Sequence, residues 1–168
     1  DDSKRWPPPR DPREVIEVPG LSIKKLHVGR LVLLSGPRVL HQTRLPLAEW
    51  PGVQTSNSLA LVLRRDRVIE VKGPARKDGW NSKEALATSD VTDGYTQVEL
   101  IGPNALSLLR RGTELDPNTP SRATARLCFG LGVSIYRFGD ENTFRVHVAS
   151  AHDEALWHAF SDAAKHIS

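Results

Sequence analysis

The apolar residues of this chain come in short runs, each closed off by glycine, proline or a charged turn. Leu31-Val32-Leu33-Leu34 lies between Gly29-Arg30 and Gly36-Pro37, and Ser58 to Leu63 is separated from Val68 to Val71 only by Arg64-Arg65-Asp66-Arg67. Runs of this length, bounded by turn residues, are too short for helices and suit strands. The second pair has the spacing of a hairpin. Twelve glycines and 12 prolines are spread along the chain, so punctuation of this kind recurs throughout. Nothing approaches the roughly 18 consecutive apolar residues that a membrane-spanning helix needs.

Two segments break the strand pattern. Gly102-Pro103 opens a stretch in which Ala105, Leu108 and Leu109 share one helical face, closed by Arg110-Arg111 and Gly112. At the C-terminal end Ala155, Leu156, Ala159, Phe160, Ala163 and Ile167 form an apolar stripe, with Ser150 and Asp153 predicting a capping box. Between these helices Ala125 to Phe129, Val133 to Phe138 and Phe144 to Val148 read as strands, and Val91 to Ile101 as the strand before them. The expected class is therefore α+β, with antiparallel sheets and a ferredoxin-like β-α-β-β-β-α second half.

In the first half Leu21 to Val28 reads as a strand, whereas residues 39–51 hold apolar residues at helical spacing broken by Pro46 and Pro51. Residues 73–87 are polar around an isolated Trp80 and read as a loop with one helical turn near Ser82 to Leu86, dividing the chain in two. Residues 1–19 carry five prolines among charges, with only Trp6 and the Val15, Ile16, Val18 group apolar, which predicts an extended Pro-rich arm. The expected organisation is this arm followed by a single domain over 20–168. Trp6 and Ile16 are its candidate contacts with a partner protein.

Charge narrows the function classes. The 23 Lys and Arg are interspersed with 20 acids for a net +3, and the pairs Lys24-Lys25, Arg64-Arg65 and Arg110-Arg111 lack aromatic neighbours on which bases could stack. A nucleic-acid platform is disfavoured. One cysteine, Cys128, excludes an internal disulfide and a cysteine-based zinc site, and it fits a reducing, cytoplasmic setting.

No catalytic, cofactor-binding or metal constellation emerges. His158 and Asp162 are spaced for a surface pair, and His147 alternates with Val146 and Val148, which predicts a solvated strand position. His27, His41 and His166 lack an acid at ligand spacing, and His152 adjoins Asp153 at the start of the last helix. Cys128 between Leu127 and Phe129 reads as inert core. Gly130-Leu131-Gly132 lacks the third glycine and following helix of a dinucleotide loop. Asp90 and Asp93 beside Gly94 are the best acid cluster, at a position where acids shape turns.

The second half resembles a known family. Asp90-Val91-Thr92, Gly94, Val98, Leu100, Gly102-Pro103 and Ala105 resemble the opening of the folate-dependent aminomethyltransferase superfamily. Leu109-Arg110-Arg111-Gly112 with Leu115-Asp116 is similar to the matching segment of the gamma subunit of heterotetrameric sarcosine oxidase, as are Tyr136-Arg137-Phe138-Gly139 and, on the last helix, Leu156-Trp157 with Asp162-Ala163-Ala164. The resemblance covers about residues 89–166. It implies an aminomethyltransferase-like fold and a non-catalytic role beside alpha, beta and delta subunits in oxidative demethylation of sarcosine or a related N-methyl amine. FAD, FMN, NAD, tetrahydrofolate and zinc would belong to those other subunits and none to this chain. It also implies what is lacking: Gly132 to Arg137 contains no acid, and Ala149-Ser150 stand where a folate-using relative carries Asn. The alternative from the enzyme class is a stand-alone tetrahydrofolate-binding or methyl-transfer domain.

Overall fold

The computed structural model describes residues 14–167. Their elements are β1 (Val15–Val18), β2 (Leu21–Leu26), β3 (Leu31–Ser35), α1 (Val39–Gln42), β4 (Leu47–Ala48), β5 (Val53–Gln54), β6 (Leu59–Arg64), β7 (Arg67–Val71), β8 (Gly79–Asn81), β9 (Leu86–Asp90), β10 (Tyr95–Ile101), α2 (Ala105–Gly112), β11 (Ala125–Cys128), β12 (Leu131–Phe138), β13 (Thr143–Ala149) and α3 (Asp153–Ala164). Two sheets result, largely antiparallel. The first runs β1-β2-β10-β13-β12-β11, with β5 added in parallel at the end of β12; the second runs β4-β6-β7-β3-β9-β8.

Alternation along the strands builds the layers. Val98, Leu100, Ile135, Phe144, Val146 and Val148 turn one face of the first sheet to α2 and α3, where Leu108, Leu109, Leu156 and Phe160 are fully buried against them. The opposite face meets the second sheet through Tyr136 and Phe138, against Leu31, Leu59, Leu61, Ile69 and Val71. Val32, Leu34, Val62 and Val68 on the outer face of the second sheet are covered by Val39 and Leu86. Each fully buried aliphatic or aromatic side chain in these layers contributes roughly 1.5–3 kcal/mol of transfer free energy.

The second half has the expected order β10, α2, β11, β12, β13, α3, but it does not close on itself. Strand β2 from the first half pairs with β10, Ile23 opposite Leu100 and Leu26 opposite Gln97, so the halves share one sheet. Residues 15–18, expected in the arm, form β1 on the edge of that sheet, with Ile16 opposite Ile23 and partly buried on the helix-side core. Apolar side chains at alternate positions drew this stretch onto the sheet, and the arm reading therefore does not hold for it. Trp6 lies outside the described residues.

Two other local expectations are corrected. Residues 79–81 and 86–90 are strands on either side of a turn over 82–85, so the expected loop is interrupted, because β9 pairs with β3 and carries β8 beyond it. The Ser150 hydroxyl does not cap α3; it donates to the Asp93 carbonyl at 2.8 Å, and a 3₁₀ turn over Ser150–His152 leads into the helix instead. Asp153 is taken by Lys25 and by the Thr96 hydroxyl, a pairing that fastens the helix start to the first sheet.

Candidate functional site

The polar residues of the first sheet converge where it faces the second. With Val98 and Leu100 turned to the helices, Gln97 and Glu99 point the other way, and the same parity turns Arg145 and His147 of β13 and Ser134 and Tyr136 of β12 to that side. The register sets Gln97 opposite His147, Glu99 opposite Arg145, and Ser134 opposite His147. Cross-strand neighbours stand close enough for direct side-chain contact.

His147, expected at a solvated position, is almost wholly buried. Its face of β13 would meet water in a one-sheet protein, and here a second sheet covers it. Its Nε2 lies 2.9 Å from Gln97 Nε2 and 3.2 Å from the Tyr136 hydroxyl, and its ring stacks on Tyr136 with centroids 5.7 Å apart. Its Nδ1 is buried without a hydrogen-bond partner. Burial, aided by the nearby Arg145 charge, pushes the imidazole down to about 3, and burial pushes the Tyr136 hydroxyl up to about 12. Both groups are therefore neutral near pH 7 and face each other there as hydrogen-bonding partners.

Beside them lies a charged seam. Arg145 Nε donates to Glu99 Oε2 at 2.9 Å, Lys24 Nζ is 3.2 Å from Glu99 Oε1, and Arg145 Nη1 donates to Asn57 Oδ1 just ahead of β6. The Arg145 guanidinium also covers the Phe138 ring at 3.3 Å. One arginine thus ties both sheets together. A cleft of about 530 Å³ opens where β2 ends and β10 begins, lined among others by His27, Tyr95, Thr96 and Gln97. Gln97 donates through its amide nitrogen to Tyr136, while its Oε1 accepts no hydrogen bond among the described residues. The cleft can therefore offer a ligand hydrogen bonds.

The remaining candidates are scattered. Asp90 accepts from the Thr92 amide at 2.9 Å in a turn, and hydrogen bonds from Thr92 hold its carboxyl below the usual range. Cys128 is buried on the helix side of the first sheet, and desolvation pushes its thiol up to about 12. Asp162 is held low by Lys165 first of all, with His158 a lesser contributor. His41 sits on α1, His152 in the 3₁₀ turn, and the carbonyl of His166 accepts from Arg111 at 2.6 Å. Among the described residues no three of His, Cys, Asp and Glu are grouped to hold a metal ion, and no helix is long and apolar enough to cross a membrane.

Sequence reasoning missed Gln97, Glu99, Tyr136 and Arg145 altogether. The available signal was parity: polar and apolar residues alternate over Gln97 to Leu100, Val133 to Tyr136 and Phe144 to Val148.

No protein-family profile matches the chain, and no curated protein matches it. Among solved structures, the chain is similar to one from the heterotetrameric sarcosine oxidase of Corynebacterium sp. U-96, a complex with pyrrole 2-carboxylate. The TM-score is 0.65 at 17% identity, over 86% of this chain and 84% of that one. At this identity the likeness is one of fold.

Proposed function

We propose that this chain is a non-catalytic assembly subunit of a sarcosine oxidase-type, flavin-dependent complex, occupying the place of the gamma subunit. The observation that carries the reading is the agreement in fold with a chain of such a complex over nearly the whole length of both. The second-half segments that resemble the gamma subunit support it. So does the site chemistry, because the charged groups between the sheets are spent on one another, Glu99 on Arg145 and Lys24. On this reading the fold is aminomethyltransferase-like, the partners are alpha, beta and delta subunits, and FAD, FMN, NAD, tetrahydrofolate and zinc are carried by them. Trp6 of the N-terminal segment contributes to the contact.

The test is co-expression of the tagged chain with the three candidate partner subunits, followed by native mass spectrometry. A stoichiometric four-subunit complex is expected, with Asp90→Ala, Asp93→Ala and His158→Ala each leaving its turnover within about tenfold of wild type. A monomeric chain, or a thousandfold loss at any of these positions with assembly intact, overturns the reading.

The cleft lined by His27, Tyr95, Thr96 and Gln97 favours a second reading, a stand-alone tetrahydrofolate-binding domain. Calorimetric titration of the isolated chain with tetrahydrofolate separates the two. Saturable heat that Gln97→Leu abolishes supports the second, and its absence supports the first.

A further inference from the structure

Charge does not balance at the tip of the hairpin that joins β6 to β7. Arg64 and Arg67 are cross-strand partners there, with Arg65 and Asp66 in the turn between them. The end of β3 lies against this tip: Ser35 pairs with Arg67, and the Gly36 amide donates to the Asp66 carbonyl at 2.9 Å. That bond brings the turn after β3, and Arg38 with it, beside the hairpin. Four arginines (38, 64, 65 and 67) thus gather around the single carboxylate of Asp66, an excess of three positive charges. The whole chain has a formal net charge of +3, so the remainder of the molecule balances.

The neighbouring charges leave this excess as it is. Beside β6, where the Thr124 amide donates to the Val62 carbonyl, Arg122 and Glu49 face each other at 3.7 Å. Ahead of β9, which pairs with β3, Lys83 and Glu84 add one charge of each sign. Asp66 lies 3.4 Å from Arg64, whereas Arg38, Arg65 and Arg67 make no side-chain hydrogen bond or ion pair among the described residues. Arg38 and Arg65 are exposed; Arg67 is half-buried, and its Nε is buried without an acceptor. Both features cost free energy, since like charges directly opposite each other weaken a strand pair and a buried N–H without an acceptor has lost its water. By turning outward to a carboxylate, Arg67 gains the acceptor that the fold denies it. Guanidinium groups match carboxylates with paired N–H donors.

We infer that the β6–β7 tip, with Arg38 beside it, is a docking surface for an acidic face of a partner protein, whose carboxylates meet Arg38, Arg65 and Arg67. A hairpin tip is convex, whereas small-molecule sites are concave, so the contact is with a macromolecule. Residues 35–38 and 64–67 include no aromatic ring on which a nucleic-acid base could stack, which favours a protein. Contacts of this kind act chiefly on the association rate and its dependence on salt. The inference rests on the subunit reading above for the existence of a partner, and goes beyond it in naming the surface and the sign of the partner's charge.

The experiment follows association of the full chain with the candidate partner subunits at low and high salt. It compares wild type, the tip variant Arg38→Glu/Arg65→Glu, and the control Lys77→Glu/Lys83→Glu, which changes the net charge equally at another place. All four substituted side chains are exposed, so folded variants are expected, and circular dichroism checks them. Wild type should associate more slowly as salt rises. At low salt the tip variant should associate about tenfold more slowly than wild type and lose most of that salt dependence, while the control stays within about threefold. If wild type binds none of the subunits, the subunit reading and the docking surface fall together. If wild type binds and the tip variant associates as fast as wild type, or no more slowly than the control, the docking surface falls alone. Retention of the free chain by single-stranded RNA that the tip variant loses and the control keeps would assign the tip to nucleic acid and overturn the acidic protein partner.

Discussion

The ring of His147 stacks on that of Tyr136 between the two sheets, while its Nε2 receives the Gln97 amide at 2.9 Å. A protonated imidazole is disfavoured here, because burial is complete, Arg145 is close and a proton on Nε2 would face the Gln97 amide donor. Folding therefore has to keep His147 neutral.

The consequence for stability follows from linkage. The folded imidazole, at about 3, binds its proton less readily than the unfolded one, at an ordinary value near 6.5. His147 costs nothing above the unfolded value, and stability falls as pH drops from about 6.5 toward 3, by up to about 1.4 kcal/mol per unit. Asp90, Asp116 and Asp162 are shifted downward, so the stability they contribute is present above the ordinary carboxylate value and is lost only below about 4. Urea titrations between pH 7 and 4.5 should show the slope in wild type and a much flatter one in His147→Gln. An equal slope in both would show that the imidazole is not the group responsible.

The pair Glu70 and Arg76 should respond unequally to truncation. Glu70 is fully buried, receives both Arg76 Nε and Nη2 at 2.8 Å and accepts the Thr43 hydroxyl, whereas Arg76 is about a quarter exposed. Arg76→Ala strands a carboxylate in the interior and is expected to cost about 3–5 kcal/mol, while Glu70→Ala leaves a guanidinium that can turn to water and costs less. Chemical denaturation of the two variants gives the order directly.

Gly102 should not accept a side chain. Its φ of +122° lies where L residues are strained, and a Cβ there would collide with the Gly20 carbonyl in the turn joining β1 to β2. The same carbonyl accepts the Asn104 amide at 3.0 Å, which fixes where α2 begins. Gly102→Ala is expected to cost roughly 2–3 kcal/mol, read as a lowered unfolding midpoint in urea.

Cys128 should be inert while the protein is folded. Its thiol is buried and pushed up to about 12, so the reactive thiolate is scarce at neutral pH. A chromogenic disulfide reagent should label one thiol per chain in denaturant and almost none without it.

The elements themselves were legible from the sequence. Short apolar runs ending at turn residues marked β2, β3, β6, β7, β11, β12 and β13, and the stripe from Ala155 to Ile167 marked α3, because these are local patterns set by side-chain period and backbone preference. Trp80 stood out as an aromatic in a polar stretch, but nothing local marked that stretch as an edge strand, since β8 exists only because β9 pairs with β3. The Ser150 cap failed for the same reason: a partner distant in sequence, Asp93, took the hydroxyl. Ile16 and His147 depended on what covered them. Ile16 belongs to a Pro-rich segment by sequence and to a sheet edge because β2 offers it one, and His147 alternates onto a face that the second sheet closes over. Alternation along a strand says which residues share a side, and it is silent on whether water or another sheet lies there. That was decided by tertiary structure, which turned Gln97, Glu99, Arg145 and His147 from a polar surface into a sealed seam.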